Sequence, residues 1–90
     1  MSRFMIERDF PNGLAMPMTA AGAEACSRIV AHNAEKGVTW LHSYVSPDKT
    51  RTYCVYDAPS ADAIREVAHL NGLPVGSITE VTVLDPYFYH

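Results

Sequence analysis

Three side chains with metal-binding chemistry fall in segments that are typical of β-strands: Glu7, His42 and Cys54. Their carboxylate, imidazole and thiolate groups form a mixed O, N and S ligand set, which suits nickel, copper or zinc better than magnesium or calcium. A carboxylate and an imidazole can also transfer protons. We therefore take these three residues as candidate metal ligands. No catalytic residue is assigned, because the chain has no HExxH, P-loop, GxGxxG or GxSxG motif.

Aromatic and acidic side chains in the same segments extend these ligands into a candidate pocket. Side chains of a strand alternate between its two faces. Hydropathy predicts that the most apolar ones face the helices: Phe4, Ile6, Leu41, Val45, Val55, Val81 and Val83. The opposite face then holds the candidate ligand pocket: Glu7, Trp40, His42, Tyr44, Cys54, Tyr56 and Glu80. Apolar walls with a few polar groups are typical of a ligand site, although each of these residues can equally serve packing or hydrogen bonding.

Turn and capping residues divide the chain into six elements. Ser60 is a suitable N-cap for a helix, as is Thr19. Gly37 and Gly72 are placed to end the two helices. The pattern predicts strands at residues 3–9, 38–45, 51–57 and 77–84, and helices at 19–36 and 60–71.

The order βαββαβ predicts an α+β, ferredoxin-like fold in a single domain, residues 1–90. Right-handed crossovers place four strands in one antiparallel sheet with both helices on one face. The other sheet face is then bare, and an exposed apolar patch of this size usually marks an interface. We therefore expect a homodimer through this open sheet face, in an assembly of the dimeric α/β-barrel type.

Composition restricts the classes of partner and the compartment. The chain has 90 residues and a net charge of -3, and its basic residues form no cluster of the kind that binds nucleic acid. Cys26 and Cys54 are far apart and predict free thiols in a reducing cytoplasm. No apolar stretch approaches the roughly 20 residues that cross a bilayer. We expect a cytoplasmic protein without a nucleic-acid or membrane partner.

Several segments together resemble one known family. The distinctive ones are Phe4–Arg8, the WxHSYV segment Trp40–Val45, the YCVY segment Tyr53–Tyr56, and Ile78–Val81. In order and spacing the chain is similar to the domain of unknown function 4242 family, described as nickel-binding-protein-like. The resemblance implies a ferredoxin-like fold, a homodimeric or higher assembly and, in at least one branch of the family, nickel binding.

The chain departs from the family pattern at two places. The second helix reads Glu66-Val67-Ala68 where the pattern has Glu-His-Ala, and the ending Tyr87-Phe88-Tyr89-His90 is aromatic rather than polar. If the family histidine is a metal ligand, the resemblance implies a rearranged site here, for which His90 is a candidate ligand.

Three functions remain open on these observations. The first is a protein that binds nickel or another transition metal without turnover. The second is a small-molecule enzyme of the dimeric α/β-barrel type, with isomerase, cyclase or monooxygenase-like chemistry, in which Glu7 or His42 moves a proton and Tyr44 or Tyr56 orients the substrate. The third is an interaction module whose open face serves dimerisation alone.

Overall fold

Four strands and two helices follow one another in the order strand, helix, strand, strand, helix, strand. A computed structural model describes residues 1–14 and 20–87. The elements are β1 (Ser2–Asp9), α1 (Ala20–Glu35), β2 (Thr39–Val45), β3 (Arg51–Ala58), α2 (Ala61–Asn71) and β4 (Ser77–Val81). The predicted N-cap Thr19 and the candidate ligand His90 lie outside the described residues.

The strands form one sheet in the order β2-β3-β1-β4. β1 pairs antiparallel with β3 and β4, and β2 pairs antiparallel with β3. Ile6 in the centre of β1 lies opposite Cys54 on one side and Ile78 on the other. This topology confirms the predicted ferredoxin-like α+β fold.

Local capping signals set the helix ends as predicted. The Ser60 hydroxyl accepts a hydrogen bond from the Ala63 amide at 3.2 Å, which satisfies one of the free donors at the start of α2. Gly37 and Gly72 follow the two helices with φ of 70° and 66°. In this left-handed region a Cβ is unfavourable, so glycine is the residue that lets the chain leave the helix.

The core lies between the helices and one face of the sheet. It consists of Phe4, Ile6, Val38, Cys54, Tyr56, Ala58, Ile64 and Val67. α2 buries Ile64, Val67 and Ala68, as its helical spacing requires. Cys26 is half-buried, Cys54 is buried, and neither forms a disulfide. None of the helices in residues 1–14 and 20–87 is long and apolar enough to cross a membrane.

The predicted face of β3 is wrong. Residues directly opposite on paired strands share a face. Thr52, Cys54 and Tyr56 lie opposite the buried residues of β1 on the helix side, whereas Val55 lies opposite Met5 on the open side, although it too is buried. Hydropathy favoured Val55 for the core, but its alternate set also contains Asp57 and Arg51, which form ion pairs with Arg3 and Asp9 of β1 on the open side.

The predicted face of β4 is wrong in the same way. Ile78 lies opposite Ile6 and packs against the core, while Val81 lies opposite Arg3 on the open side. The strand ends at Val81 rather than at residue 84, so Val83 belongs to no strand. Only two of the five residues of β4 are even half-buried, because it is an edge strand with a single neighbour. Hydropathy is therefore a weak guide to its face.

Candidate functional site

The open face of the sheet carries three of the predicted pocket residues, Glu7, His42 and Tyr44. Glu7 lies opposite Tyr53, which in turn lies opposite Tyr44. His42 lies opposite Val55, which is two residues further along β3 than Tyr53. All three candidate side chains are exposed, so this face presents a carboxylate, an imidazole and phenols to its surroundings.

Contacts on the open face hold these groups in defined positions. The rings of His42 and Tyr44 meet edge to face, with centroids 5.2 Å apart and an interplanar angle of 83°. The Glu7 carboxylate accepts a hydrogen bond from the Ser77 hydroxyl at 3.1 Å. Because β3 lies between β1 and β2 in the sheet, Glu7 and His42 lie on opposite sides of β3.

Ion pairs border the open face at both ends. Arg3 Nε donates to Asp57 Oδ1 at 2.9 Å, and Arg51 Nε donates to Asp9 Oδ1 at 3.0 Å. The hydrogen bond from Arg3 lowers the pKa of Asp57 below its usual value. These carboxylates are engaged by arginines, which leaves Glu7 as the open-face carboxylate without a cationic partner among the described residues.

A β-bulge in β2 removes Trp40 from the predicted pocket. Trp40 lies opposite Tyr56, but His42 lies opposite Val55, so the extra residue Leu41 is inserted between them. A bulge of this kind exchanges the faces of the residues before and after it. Trp40 consequently packs against the core on the helix side, where its Nε1 donates to Ser43 Oγ at 2.9 Å. Strict alternation wrongly placed it beside His42.

The remaining predicted pocket residues also leave the open face. Cys54 and Tyr56 are buried on the helix side, where they line a cavity of about 240 Å³ together with Trp40. Glu80 lies opposite Phe4 and is exposed on the edge strand β4. The predicted seven-residue pocket is thus divided between two sides of the sheet.

The three predicted metal ligands do not converge within one chain. Glu7 on β1 and His42 on β2 are separated by β3, which places the two strands about 9–10 Å apart, and the two residues are also offset by two positions along β3. A metal ligand must approach to roughly 2.0–2.3 Å, and Cys54 lies behind the sheet. No group of three or more His, Cys, Asp or Glu side chains among residues 1–14 and 20–87 is arranged to hold a metal ion. Within one chain these three side chains therefore do not meet, and their role as metal ligands stays a prediction.

Sequence reasoning also missed Arg8. This arginine is 2% exposed and lines the cavity on the helix side. The signal was present in the alternation of β1, because Phe4 and Ile6 were assigned to the helix side and residue 8 continues the same set. A buried arginine is uncommon, so hydropathy gave no reason to assign Arg8 to the core.

The position that departs from the family pattern is also in the core. Val67 is 2% exposed, and it packs on the helix side of the sheet. A histidine at this position would therefore not belong to the open face.

The candidate proton-transfer residues of an enzyme, Glu7 and His42, do remain on that face, so the enzyme hypothesis stays a prediction.

Comparison with known proteins identifies a family for this chain and a solved structure with a similar fold. A family model described as the nickel-responsive protein SCO4226-like family matches residues 4–81. The crystal structure of SCO4226 from Streptomyces coelicolor A3(2) is similar, with a TM-score of 0.73 and 21% identity over 93% of this chain and 100% of that one. At this identity the likeness concerns the fold. No curated protein matches, and the label of domain of unknown function 4242 stays a prediction.

Proposed function

The chain belongs to the SCO4226-like family of nickel-responsive proteins, and we propose that it binds nickel as a homodimer whose metal sites lie between two open sheet faces. In each site His42 of one protomer supplies the imidazole and the partner's Glu7 supplies the carboxylate. Nitrogen and oxygen donors of this kind suit a divalent transition metal. The role is binding, and no reaction is assigned to it.

The separation of Glu7 from His42 is the observation that carries this proposal. Both side chains are exposed on the same bare face, yet two strand spacings keep them from sharing one ion within a chain. Sheets that pack face to face lie about 10 Å apart, with their side chains interdigitated. A second copy on this face brings its own carboxylate into the space beside His42. The dimer thus supplies the donors that a single chain cannot bring together.

Neighbouring groups on the open face favour His42 as the nitrogen ligand. The edge-to-face contact with Tyr44 restricts the imidazole ring without engaging it in a described hydrogen bond. His32, in contrast, is bonded through Nδ1 to Asn71 at 2.6 Å, and His69 lies on α2 away from the sheet face. His69 is exposed and therefore serves as a matched control.

Calorimetric titration with Ni²⁺ tests the ligands. We expect saturable binding by the wild-type protein, loss of at least about tenfold in affinity in His42→Ala and in Glu7→Gln, and no change in His69→Ala. Glu7→Gln keeps the size of the side chain, so its effect reports the charge. Equal binding by the wild type and His42→Ala, or no binding at all, would contradict the proposal.

A mixing experiment tests whether each site spans two chains. His42→Ala and Glu7→Gln are combined and allowed to exchange subunits. Each mixed dimer then has one site with both ligands and one with neither. Equal mixing should restore about a quarter of the wild-type sites, because half of the dimers are mixed and each has one intact site. A site contained within one chain would show no recovery.

A further inference from the structure

Arg8 is a buried cation without a carboxylate partner. It is 2% exposed, and its Nε and Nη1 have no hydrogen-bond partner among residues 1–14 and 20–87. All ten Asp and Glu residues of the sequence fall within those residues. Four ion pairs are found there, and none includes Arg8. No acidic side chain of this chain neutralises its charge.

A guanidinium in this position is costly unless something binds it. Removing a charge from water carries a penalty of several kcal/mol that only a well-placed counter-charge and hydrogen bonds offset. The Cζ atom of Arg8 lies 5.6 Å from the centre of the Tyr56 ring, and the ring face provides partial compensation. It leaves the Nε and Nη1 groups without a hydrogen-bond partner among the described residues, so the charge of the guanidinium is only partly compensated.

Arg8 also lines a cavity with an apolar interior. The cavity measures about 240 Å³ and lies between the sheet and the helices. Phe10, Leu14, Ile29 and Trp40 are among the residues that line it. Its volume is slightly below the range of about 300–1,000 Å³ that is usual for ligand pockets, so it suits a small molecule. Among the described residues that line it, none is acidic.

We propose that this cavity binds a small monocarboxylate with an apolar body, whose carboxylate pairs with the Arg8 guanidinium while its hydrocarbon part lies against Trp40 and the aliphatic wall. The site is on the opposite side of the sheet from the proposed nickel ligands, so either proposal can fail without the other. Burial raises the pKa of the Tyr56 phenol above its usual value, with Arg8 opposing this shift. The phenol is therefore neutral and does not replace the ligand as the counter-charge of Arg8.

Titration with hexanoate tests the site, with Trp40 as the reporter because it is the only tryptophan. We expect a saturable change in Trp40 fluorescence, together with a shift of the Arg8 Nε–H resonance in ¹⁵N NMR. Acetate lacks the apolar body and hexanamide lacks the charge, so both should bind at least about tenfold more weakly. No saturable response up to roughly 10 mM hexanoate, or equal binding of hexanamide, would overturn the proposal.

Substitution of Arg8 provides a second test of the proposed carboxylate site. Arg8→Met keeps an unbranched apolar side chain without the charged guanidinium, and it should weaken hexanoate binding at least about tenfold. Arg28→Met removes an exposed arginine of α1 and should leave binding unchanged. Hexanoate binding that survives in folded Arg8→Met would contradict the assignment. If Arg8→Met does not fold, the comparison of hexanoate with hexanamide on the wild-type protein still shows whether binding depends on the carboxylate charge.

Discussion

At the scale of single residues, Gly76 sets how β4 meets β1. Its N–H donates to the Glu7 carbonyl at 2.8 Å, so the two backbones approach closely directly before β4 begins. A Cβ at this position would lie 2.9 Å from the same carbonyl oxygen. The contact is between the backbone of residue 76 and the backbone of Glu7, and neither can move away from a new methyl group as a flexible side chain can. Gly76 therefore holds the backbone of one proposed nickel ligand in place.

Gly76→Ala should lower the free energy of unfolding by about 1–3 kcal/mol, because the new methyl group forces β4 away from β1. Urea unfolding followed by circular dichroism measures the change. Thr79→Ala alters an exposed residue of the same strand and should stay within about 0.5 kcal/mol of the wild type. An unfolding midpoint of Gly76→Ala equal to that of Thr79→Ala would show that the close approach is not limiting.

At the scale of elements, the β2–β3 hairpin is closed by one carboxylate. Asp48 Oδ1 accepts hydrogen bonds from the Ser46 hydroxyl at 2.7 Å, the Thr50 amide at 3.0 Å and the Thr50 hydroxyl at 2.8 Å. These bonds, that from Ser46 above all, lower the pKa of Asp48 to about 2. The turn matters for the site because it sets the register in which His42 and Tyr44 meet β3.

The hairpin should lose stability in acid through this group. The pKa of Asp48 is lower in the folded chain than the value of about 3.9 in an unfolded one, so its contribution is present above that value and is lost as the pH falls towards 2. Asp48→Asn should therefore destabilise the protein at pH 7 and have a smaller effect near pH 2. Thermal unfolding of both proteins across this range measures the difference. A pH-independent difference would contradict the assignment.

At the scale of the whole molecule, one face of the sheet has no covering layer within the chain. Tyr44 is 61% exposed there, beside the exposed His42 and the half-buried Met5 and Tyr53. A small domain buries a smaller fraction of its surface on folding than a large domain does. A second copy on this face would therefore add stability as well as the missing metal donors. The homodimer is a proposal on these grounds.

Tyr44→Arg should convert the dimer to a monomer, because two added cations would face an apolar interface. Sedimentation velocity measures the change. Leu70→Arg places the same charge on α2, at a residue that is 51% exposed, and should leave the dimer intact. A wild-type protein that sediments as a monomer, or a Tyr44→Arg variant that sediments as a dimer, would contradict an interface at the open face.

The fold was largely predictable, and the site only in part. Caps and turns act over a few residues, so Ser60, Gly37 and Gly72 were sufficient to locate helix ends. The faces of β3 and β4 were not found, because hydropathy compared Val55 with Tyr56 without weighing the charges at the strand ends. The bulge at Leu41 was also missed, since it arises from pairing between strands rather than from any local residue preference.

The sequence by itself determined the order of elements, the presence of a bare sheet face and the nickel-related family, because each depends on local spacing or on motifs read along the chain. Tertiary structure alone decided which donors meet. An alternating strand has two possible faces, and only its register against neighbouring strands selects between them. That selection placed Cys54 behind the sheet, kept Glu7 and His42 on the open face, and buried Arg8 in a cavity of its own.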